Sequence, residues 1–174
     1  MIPKILPALG AALALSACAT YSDLPTDRAG QASLTYANGL PAGTAQLLET
    51  GDGLELAVAV TGMSPGAHGF HLHETGRCEA PGFTSAGGHL NPHGKSHGSR
   101  SPMGSHLGDL PNLQVGANGS ATARVLIDEA DEHTLGHIFD ADGTAVVIHA
   151  GADDYRTDPA GDAGPRLACG VLRR

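Results

Sequence analysis

The segment Gly69-Phe70-His71-Leu72-His73-Glu74 decides how the rest of the chain is read. Successive side chains of an extended strand point to opposite faces, so His71 and His73 present both imidazoles on one side while Phe70 and Leu72 face the other. One face of such a strand buries apolar carbon and the other offers two nitrogen ligands on a rigid platform. The following stretch, Gly87-Gly88-His89-Leu90-Asn91-Pro92-His93-Gly94-Lys95-Ser96-His97-Gly98, is too rich in Gly, Pro and Ser for a helix or a central strand. It reads as a long loop carrying further histidines. His106 and Asp109 follow at i and i+3, spaced to converge on one ion once that loop folds back. A set of histidines closed by one carboxylate suits copper or zinc better than calcium, which prefers oxygen.

Outward from this centre, the pattern is that of strands and turns. Ala32 to Tyr36 alternates, Asn38-Gly39 offers a turn, and Gly43 to Thr50 resumes. Leu54 to Val60 places Leu54, Leu56, Val58 and Val60 on one face, and Pro65-Gly66 precedes a strand over Ala67 to His73. Beyond the metal loop, Leu113 to Val115 and Ala121 to Ile127 flank a Gly116-Ala117-Asn118-Gly119 turn. Thr144 to His149 is strongly apolar and ends in a histidine, and Leu167 to Leu172 closes the chain. About eight short strands and two long loops, Glu74 to Leu110 and Gly151 to Pro165, predict an all-β fold: an antiparallel Greek-key barrel or sandwich, nearly without helix. A loop as long as Glu74 to Leu110 needs metal or a disulfide to order it.

The N-terminus predicts export. Lys4 precedes an apolar run, Ile5 to Leu15, too short for a bilayer-spanning helix, which needs about 20 apolar residues. Leu15-Ser16-Ala17-Cys18 resembles a bacterial lipobox, in which residues 1–17 are removed and Cys18 is lipidated, residues 18–30 then forming a tether before a domain over 31–174. Ala17-Cys18-Ala19 also fits an ordinary cleavage site that discards the cysteine and leaves a soluble periplasmic protein. With Cys18 lipidated or lost, Cys78 and Cys169 remain as a pair, and an oxidising envelope compartment makes a disulfide the natural reading. The 157 residues left after removal of 17 from 174 suffice for one domain. Acidic residues outnumber basic ones, 18 to 10, and no basic run occurs, so the chain has no electrostatic case for a nucleic-acid partner.

With these residues laid out, the chain resembles the copper,zinc superoxide dismutases over nearly all of the expected mature length. The blocks that carry the resemblance are Gly66-Ala67-His68-Gly69-Phe70-His71-Leu72-His73-Glu74, Gly87-Gly88-His89-Leu90-Asn91-Pro92, His106-Leu107-Gly108-Asp109-Leu110, Val146-Val147-Ile148-His149 and Gly161-Asp162-Ala163-Gly164-Pro165-Arg166-Leu167-Ala168-Cys169-Gly170. By matching position, the resemblance implies that His71, His73, His89 and His149 hold copper, and that His89 also faces zinc, completed by His97, His106 and Asp109. Asp153 matches a carboxylate linking a copper histidine to a zinc histidine, and Arg166 matches a guanidinium that draws in the superoxide anion. The implied reaction is dismutation to dioxygen and hydrogen peroxide, with one proton supplied by His89. Cys78, just after the His-x-His-Glu block, fits the bacterial branch, since the eukaryotic enzymes place their loop cysteine where this chain has Phe83. The segment from His149 to Arg166 is shorter than theirs and lacks their steering charges, which leaves Lys95 or Arg100 to guide the anion. Subunit contacts differ between the branches, so a homodimer stays open.

Four histidines are expected to do no ligation: His68 bracing backbone, His93 outside the ligand set, and His133 and His137 exposed in a polar connection. The rival functions are a noncatalytic envelope copper or zinc buffer, which needs the ligands but not Arg166, and an adhesion or structural module, which needs neither.

Overall fold

The computed structural model describes residues 27–128 and 132–174. The readings placed on the N-terminus (the signal at 1–17, Cys18 and most of the tether) lie outside the described residues. Among the described residues nine strands occur in the order β1 (Asp27–Tyr36), β2 (Pro41–Thr50), β3 (Gly53–Thr61), β4 (Gly66–His68), β5 (Phe70–His73), β6 (Leu113–Val115), β7 (Ser120–Asp128), β8 (Ala145–His149) and β9 (Arg166–Val171). One short helix, α1 (Glu132–Ile138), and a 3-10 turn at Thr84–Ala86 complete the elements of the described residues. No helix among the described residues is long and apolar enough to cross a membrane.

All strand pairings are antiparallel, and seven strands form one sheet in the order β5-β8-β9-β1-β2-β3-β7, with β4 and β6 as a separate pair. Because β4 runs directly into β5 and β6 directly into β7, the small pair joins the two edges of the large sheet and curls it into a half-barrel. The expected all-β antiparallel fold is therefore present. The core lies inside the curl. Leu54, Leu56, Val58 and Val60 are all buried, as their alternation predicts, and Phe70 and Leu72 are inaccessible. Burying each of those last two stabilises the fold by roughly 2 kcal/mol.

Three details differ from the sequence reading. The expected strand Ala67 to His73 is two strands, because the chain changes partners at Gly69: β4 pairs with β6 and β5 with β8. Gly69 donates its N–H to Gly151 O and accepts from His149 N, and a Cβ there would stand 2.7 Å from that of Ala163. Only glycine permits that approach, and it draws the second long loop onto the histidine strand. Second, β1 begins at Asp27, so residues 27–30 of the stretch read as tether are paired with β2. Third, the connection carrying His133 and His137 contains α1. His133 is exposed as expected, but His137 is half-buried, because Thr134 and Ile138 turn inward and fix the helix.

The long loop is ordered by β5. Leu72 N donates to Gly108 O, Leu90 N to Leu72 O and Gly108 N to Leu90 O, and isolated bridges pair His71 with Asp109 and His73 with His89. A Cys78–Cys169 disulfide, with Cα atoms 5.7 Å apart, ties the start of the same loop to β9. Around it Phe83, Ala86, Ala145 and Val147 form a second small core.

Candidate metal centre

β5 and β8 are neighbours in the sheet, so His71, His73 and His149 arrive on backbone whose register is fixed by pairing. An irregularity in the β8–β9 register between Ile148 and His149 re-aims the last of these and sets it opposite Arg166. The loop then delivers His89, His97, His106 and Asp109. Two groups result, His71/His73/His89/His149 and His89/His97/His106/Asp109, and in each one ligand atom per residue lies within 4.8 Å of all the others. All six histidines are buried.

Hydrogen bonds fix the tautomer of nearly every ring, since a carbonyl or carboxylate oxygen can only accept. His71 Nε2 donates to Asp153 Oδ2 at 2.8 Å, and His97 Nε2 donates to Asp153 Oδ1 at 3.0 Å. His73 Nδ1 donates to Gly87 O at 3.0 Å and His149 Nδ1 to Gly164 O at 2.9 Å. The opposite nitrogen of each ring therefore carries a lone pair. Those atoms, His71 Nδ1, His73 Nε2, His97 Nδ1 and His149 Nε2, together with His89 Nε2, are buried without a hydrogen-bond partner among the described residues. Five buried lone pairs without donors are costly unless a cation takes them.

The second group is gathered on one oxygen. Asp109 Oδ1 lies 2.7 Å from His89 Nδ1, 3.0 Å from His106 Nδ1 and 3.1 Å from His97 Nδ1. Ligands at about 2.0 to 2.1 Å from a tetrahedral ion stand about 3.3 Å apart, so this spacing closes on a zinc-sized ion with little movement. The other carboxylate oxygen accepts from Gly98 N at 2.7 Å and His106 N at 3.0 Å. His89 thus has Nδ1 in one group and its unpartnered Nε2 in the other. The donor set fits the two metals inferred from sequence: nitrogen-rich for copper, three nitrogens and one carboxylate for zinc.

The electrostatics favour neutral, ligating rings. Burial holds His71 and His149 down to about 4 from the ordinary 6.5, and it lowers His73 and His89 as well. Burial pushes Asp109 and Asp153 upward, but hydrogen bonds from His89 to Asp109, and from His71 and His97 to Asp153, outweigh it and leave both carboxyls below their usual range. Arg166, half-buried, donates from Nη1 to Phe83 O and from Nη2 to Gly87 O, each at 2.6 Å. Gly87 O therefore holds both Arg166 and His73.

The structure thus brings together His71, His73, His89, His97, His106, Asp109, His149, Asp153 and Arg166, and it joins Cys78 to Cys169; Cys18 lies outside the described residues. His68 braces backbone as expected, with its ring nitrogens 2.8 Å from His149 O and 2.8 Å from Ser64 O. His93 joins neither metal group. Three supports were not foreseen. Asn112 clamps the Asp153 backbone, accepting from its N–H and donating to its carbonyl, both at 2.8 Å; Asp158 accepts from His97 N; and the carbonyl of Gly87 serves two site residues. Nothing in the sequence marks Asn112, 41 residues from its partner.

Comparisons with known proteins agree with this geometry. Residues 41–172 match the family model described as copper/zinc superoxide dismutase (SODC). A relative from Aquifex aeolicus named superoxide dismutase [Cu-Zn] 2 is 40% identical over 171 residues, 95% of this chain and 98% of the relative. Among solved structures, a SOD-like protein from Bacillus subtilis is 39% identical with a TM-score of 0.77, over 82% of this chain and 97% of that one. The Cu/Zn superoxide dismutase from Brucella abortus is 30% identical with a TM-score of 0.66, over 82% of this chain and 98% of that one. Fold and site define a metalloprotein of the antiparallel half-barrel type with paired histidine groups. The chain belongs to the copper/zinc superoxide dismutase family.

Proposed function

We propose that this protein dismutes superoxide, two superoxide anions and two protons giving dioxygen and hydrogen peroxide, with copper held by His71, His73, His89 and His149 and zinc by His89, His97, His106 and Asp109. The observation that carries the reading is His89: its Nδ1 sits 2.7 Å from Asp109 Oδ1 while its Nε2 is buried without a partner among the nitrogens of the other group. When bound, copper supplies the one-electron redox chemistry, and zinc, which has none, supplies fixed charge and geometry.

The chain's own residues do the rest. Arg166 offers a guanidinium held by two carbonyls, leaving its other N–H groups to an anion at small reorganisation cost. Asp153 keeps His71 and His97 in the tautomers that point their Nδ1 atoms inward. His89 can take up a proton at Nε2 and hand it to the reduced product. A metal-buffering role would require the two ligand groups but gives no use to a fixed cation beside them.

We propose further that the protein acts in the cell envelope. The apolar run before Cys18 supports export, the lipobox-like Leu15-Ser16-Ala17-Cys18 supports a lipid anchor in the bacterial outer membrane, and a disulfide suits an oxidising compartment. The intact mass of the mature protein separates lipidated Cys18 from a free terminus at Thr20. The function is tested by catalysed superoxide loss in metal-loaded protein against His149→Ala and Arg166→Ala. Undiminished activity in His149→Ala overturns the copper assignment.

A further inference from the structure

Two histidines that the buried centre does not use meet at the surface. His93 and His137 stand edge to face, with ring centroids 5.5 Å apart and planes at 86°. The metal centre supplies its own yardstick for that geometry. Within the carboxylate-bearing group the histidine pairs lie 5.1 Å (His89–His97), 5.6 Å (His89–His106) and 5.5 Å (His97–His106) apart, and the His89–His106 planes meet at 89°. His93 and His137 thus repeat, outside the centre, the separation and tilt of His89 and His106, two members of one potential ligand group.

Both rings sit on fixed supports. His93 is at the tip of a turn whose ends are clasped by one side chain: Asn91 Nδ2 donates to Lys95 O and Lys95 N donates to Asn91 Oδ1, each at 2.9 Å. His137 is in the last turn of α1, which is anchored by buried Thr134 and Ile138. Neither ring has a hydrogen-bond or ion-pair partner among the described residues, so their nitrogens are available. Beside them opens a cleft of about 320 Å³ to which His137, Glu74, Asp140 and Asp142 contribute. Glu74 and Asp140 each spend one carboxylate oxygen on backbone N–H groups, of Gly88 for the first and of Asp142 and Gly143 for the second.

We propose that His93 and His137 form a third, solvent-facing metal site for a divalent transition cation of the zinc(II) or copper(II) kind, with the carboxylates of the adjoining cleft and water filling its remaining positions. Two imidazoles with carboxylate and water are a suitable ligand set for such ions and a poor one for calcium or magnesium, which favour oxygen throughout. The site differs from the buried centre in having no third side chain already converged, and so it binds more weakly and exchanges faster. Its place is informative: His93 lies between His89 and His97 in sequence, on the loop that delivers both to the centre. An ion here would pin that loop to α1. The proposal does not depend on the dismutase reading, since it concerns different side chains and is measured by binding.

The test is a zinc titration of protein already carrying one copper and one zinc per chain, followed by equilibrium dialysis and calorimetry. The wild type is expected to take up a third equivalent. His93→Ala and His137→Ala should each weaken that uptake at least roughly tenfold, since even loss of a ligand's supporting partner costs that much, while leaving the first two equivalents in place. Copper(II) added as the third equivalent should show nitrogen coupling from two imidazoles in its paramagnetic resonance spectrum, reduced in either variant. Third-equivalent binding that is equal in wild type and in the His93→Ala/His137→Ala double variant, or no third equivalent in the wild type, overturns the proposal.

Discussion

Replacing Asp153 by asparagine changes almost no volume, yet the hydrogen-bond geometry demands a large effect. The carboxylate accepts three N–H donors: His71 Nε2 at 2.8 Å on one oxygen, and His97 Nε2 at 3.0 Å and Tyr155 N at 2.6 Å on the other. An amide offers one accepting oxygen. Because Asn112 holds the residue 153 backbone at both N–H and carbonyl, the new side chain cannot retreat. With its oxygen toward His97 and Tyr155, its NH2 group faces His71 Nε2–H, donor against donor. Turning the amide over is worse, since the NH2 group then faces two donors. His71 can relieve the clash only by moving its proton to Nδ1, the atom that must carry a lone pair into the copper group.

A donor left unsatisfied in a buried site costs about 1 to 3 kcal/mol, and disturbing a ligand's supporting partner lowers metal affinity roughly 10- to 100-fold, about 1.4 to 2.7 kcal/mol. Asp153→Asn should therefore lose copper affinity by that factor in a chelator competition with metal content read by mass spectrometry. Asp153→Ala removes the same bonds without forcing a tautomer, so it should be no more damaging at copper than the isosteric change. Nitrogen-15 spectra of metal-free Asp153→Asn should show His71 protonated at Nδ1. Copper and zinc affinities within about twofold of wild type in Asp153→Asn would refute the tautomer argument.

Other outcomes follow from the same geometry. The metal-free protein should lose stability as pH falls from about 6.5 toward 4, because burial holds His71 and His149 down to about 4, so in that window the unfolded chain binds protons that the folded one refuses. At pH 5 the loss is about 2 kcal/mol for each ring, visible as a lower urea midpoint than at pH 7.5, and an unchanged midpoint contradicts it. Arg166→Ala should lower kcat/KM roughly 100-fold with both metals retained, and Arg166→Lys, which keeps charge but not the two-carbonyl fork, should fall between it and wild type. Replacing both Cys78 and Cys169 by serine opens a link spanning 91 residues and should cost about 4 to 5 kcal/mol of stability in the chain-entropy picture, read from urea unfolding. Activity should drop too, since Phe83 O and Gly87 O lie on the loop that the disulfide secures.

What sequence showed and what it hid divide along a physical line. Alternation is local, so Leu54 to Val60 and the His71/His73 face could be read directly; burial alternates along the first, while on β5 all four residues are buried and the two faces differ in what they meet, core carbon or ligand group. Gly69 hid a partner change because the alternation runs through it; the reason for glycine there is the Cβ of Ala163, distant in sequence. In α1 the signal was present but short: Leu135, Ile138 and Phe139 have helical spacing, yet seven residues of helix barely exceed the noise of a polar connection. Asn112 and the carbonyl of Gly87 act through backbone contacts across the fold, and a backbone contact leaves no residue-type signature.

The two ligand groups rest on different kinds of support, and that division governs how the site holds together. His71, His73 and His149 stand on paired strands, so their positions are secured by the sheet whether or not an ion is present. His97 and His106 stand on the stretch of loop between Leu90 and Gly108, the two points that β5 anchors, and Asp109 adds to its order by accepting from two backbone N–H groups and drawing three imidazoles to one oxygen. A cation in the loop group replaces lone-pair crowding with attraction and closes the loop. A cation in the strand group meets ligands already in place. His89 and Asp153 are the two side chains that touch both groups, one ring shared directly and one carboxylate bonded to a histidine of each. Loss of an ion from the loop group therefore reaches the strand group first through these two residues, at the His71 hydrogen bond to Asp153 and at the shared His89 ring, while the sheet keeps the backbone of His71, His73 and His149 in place.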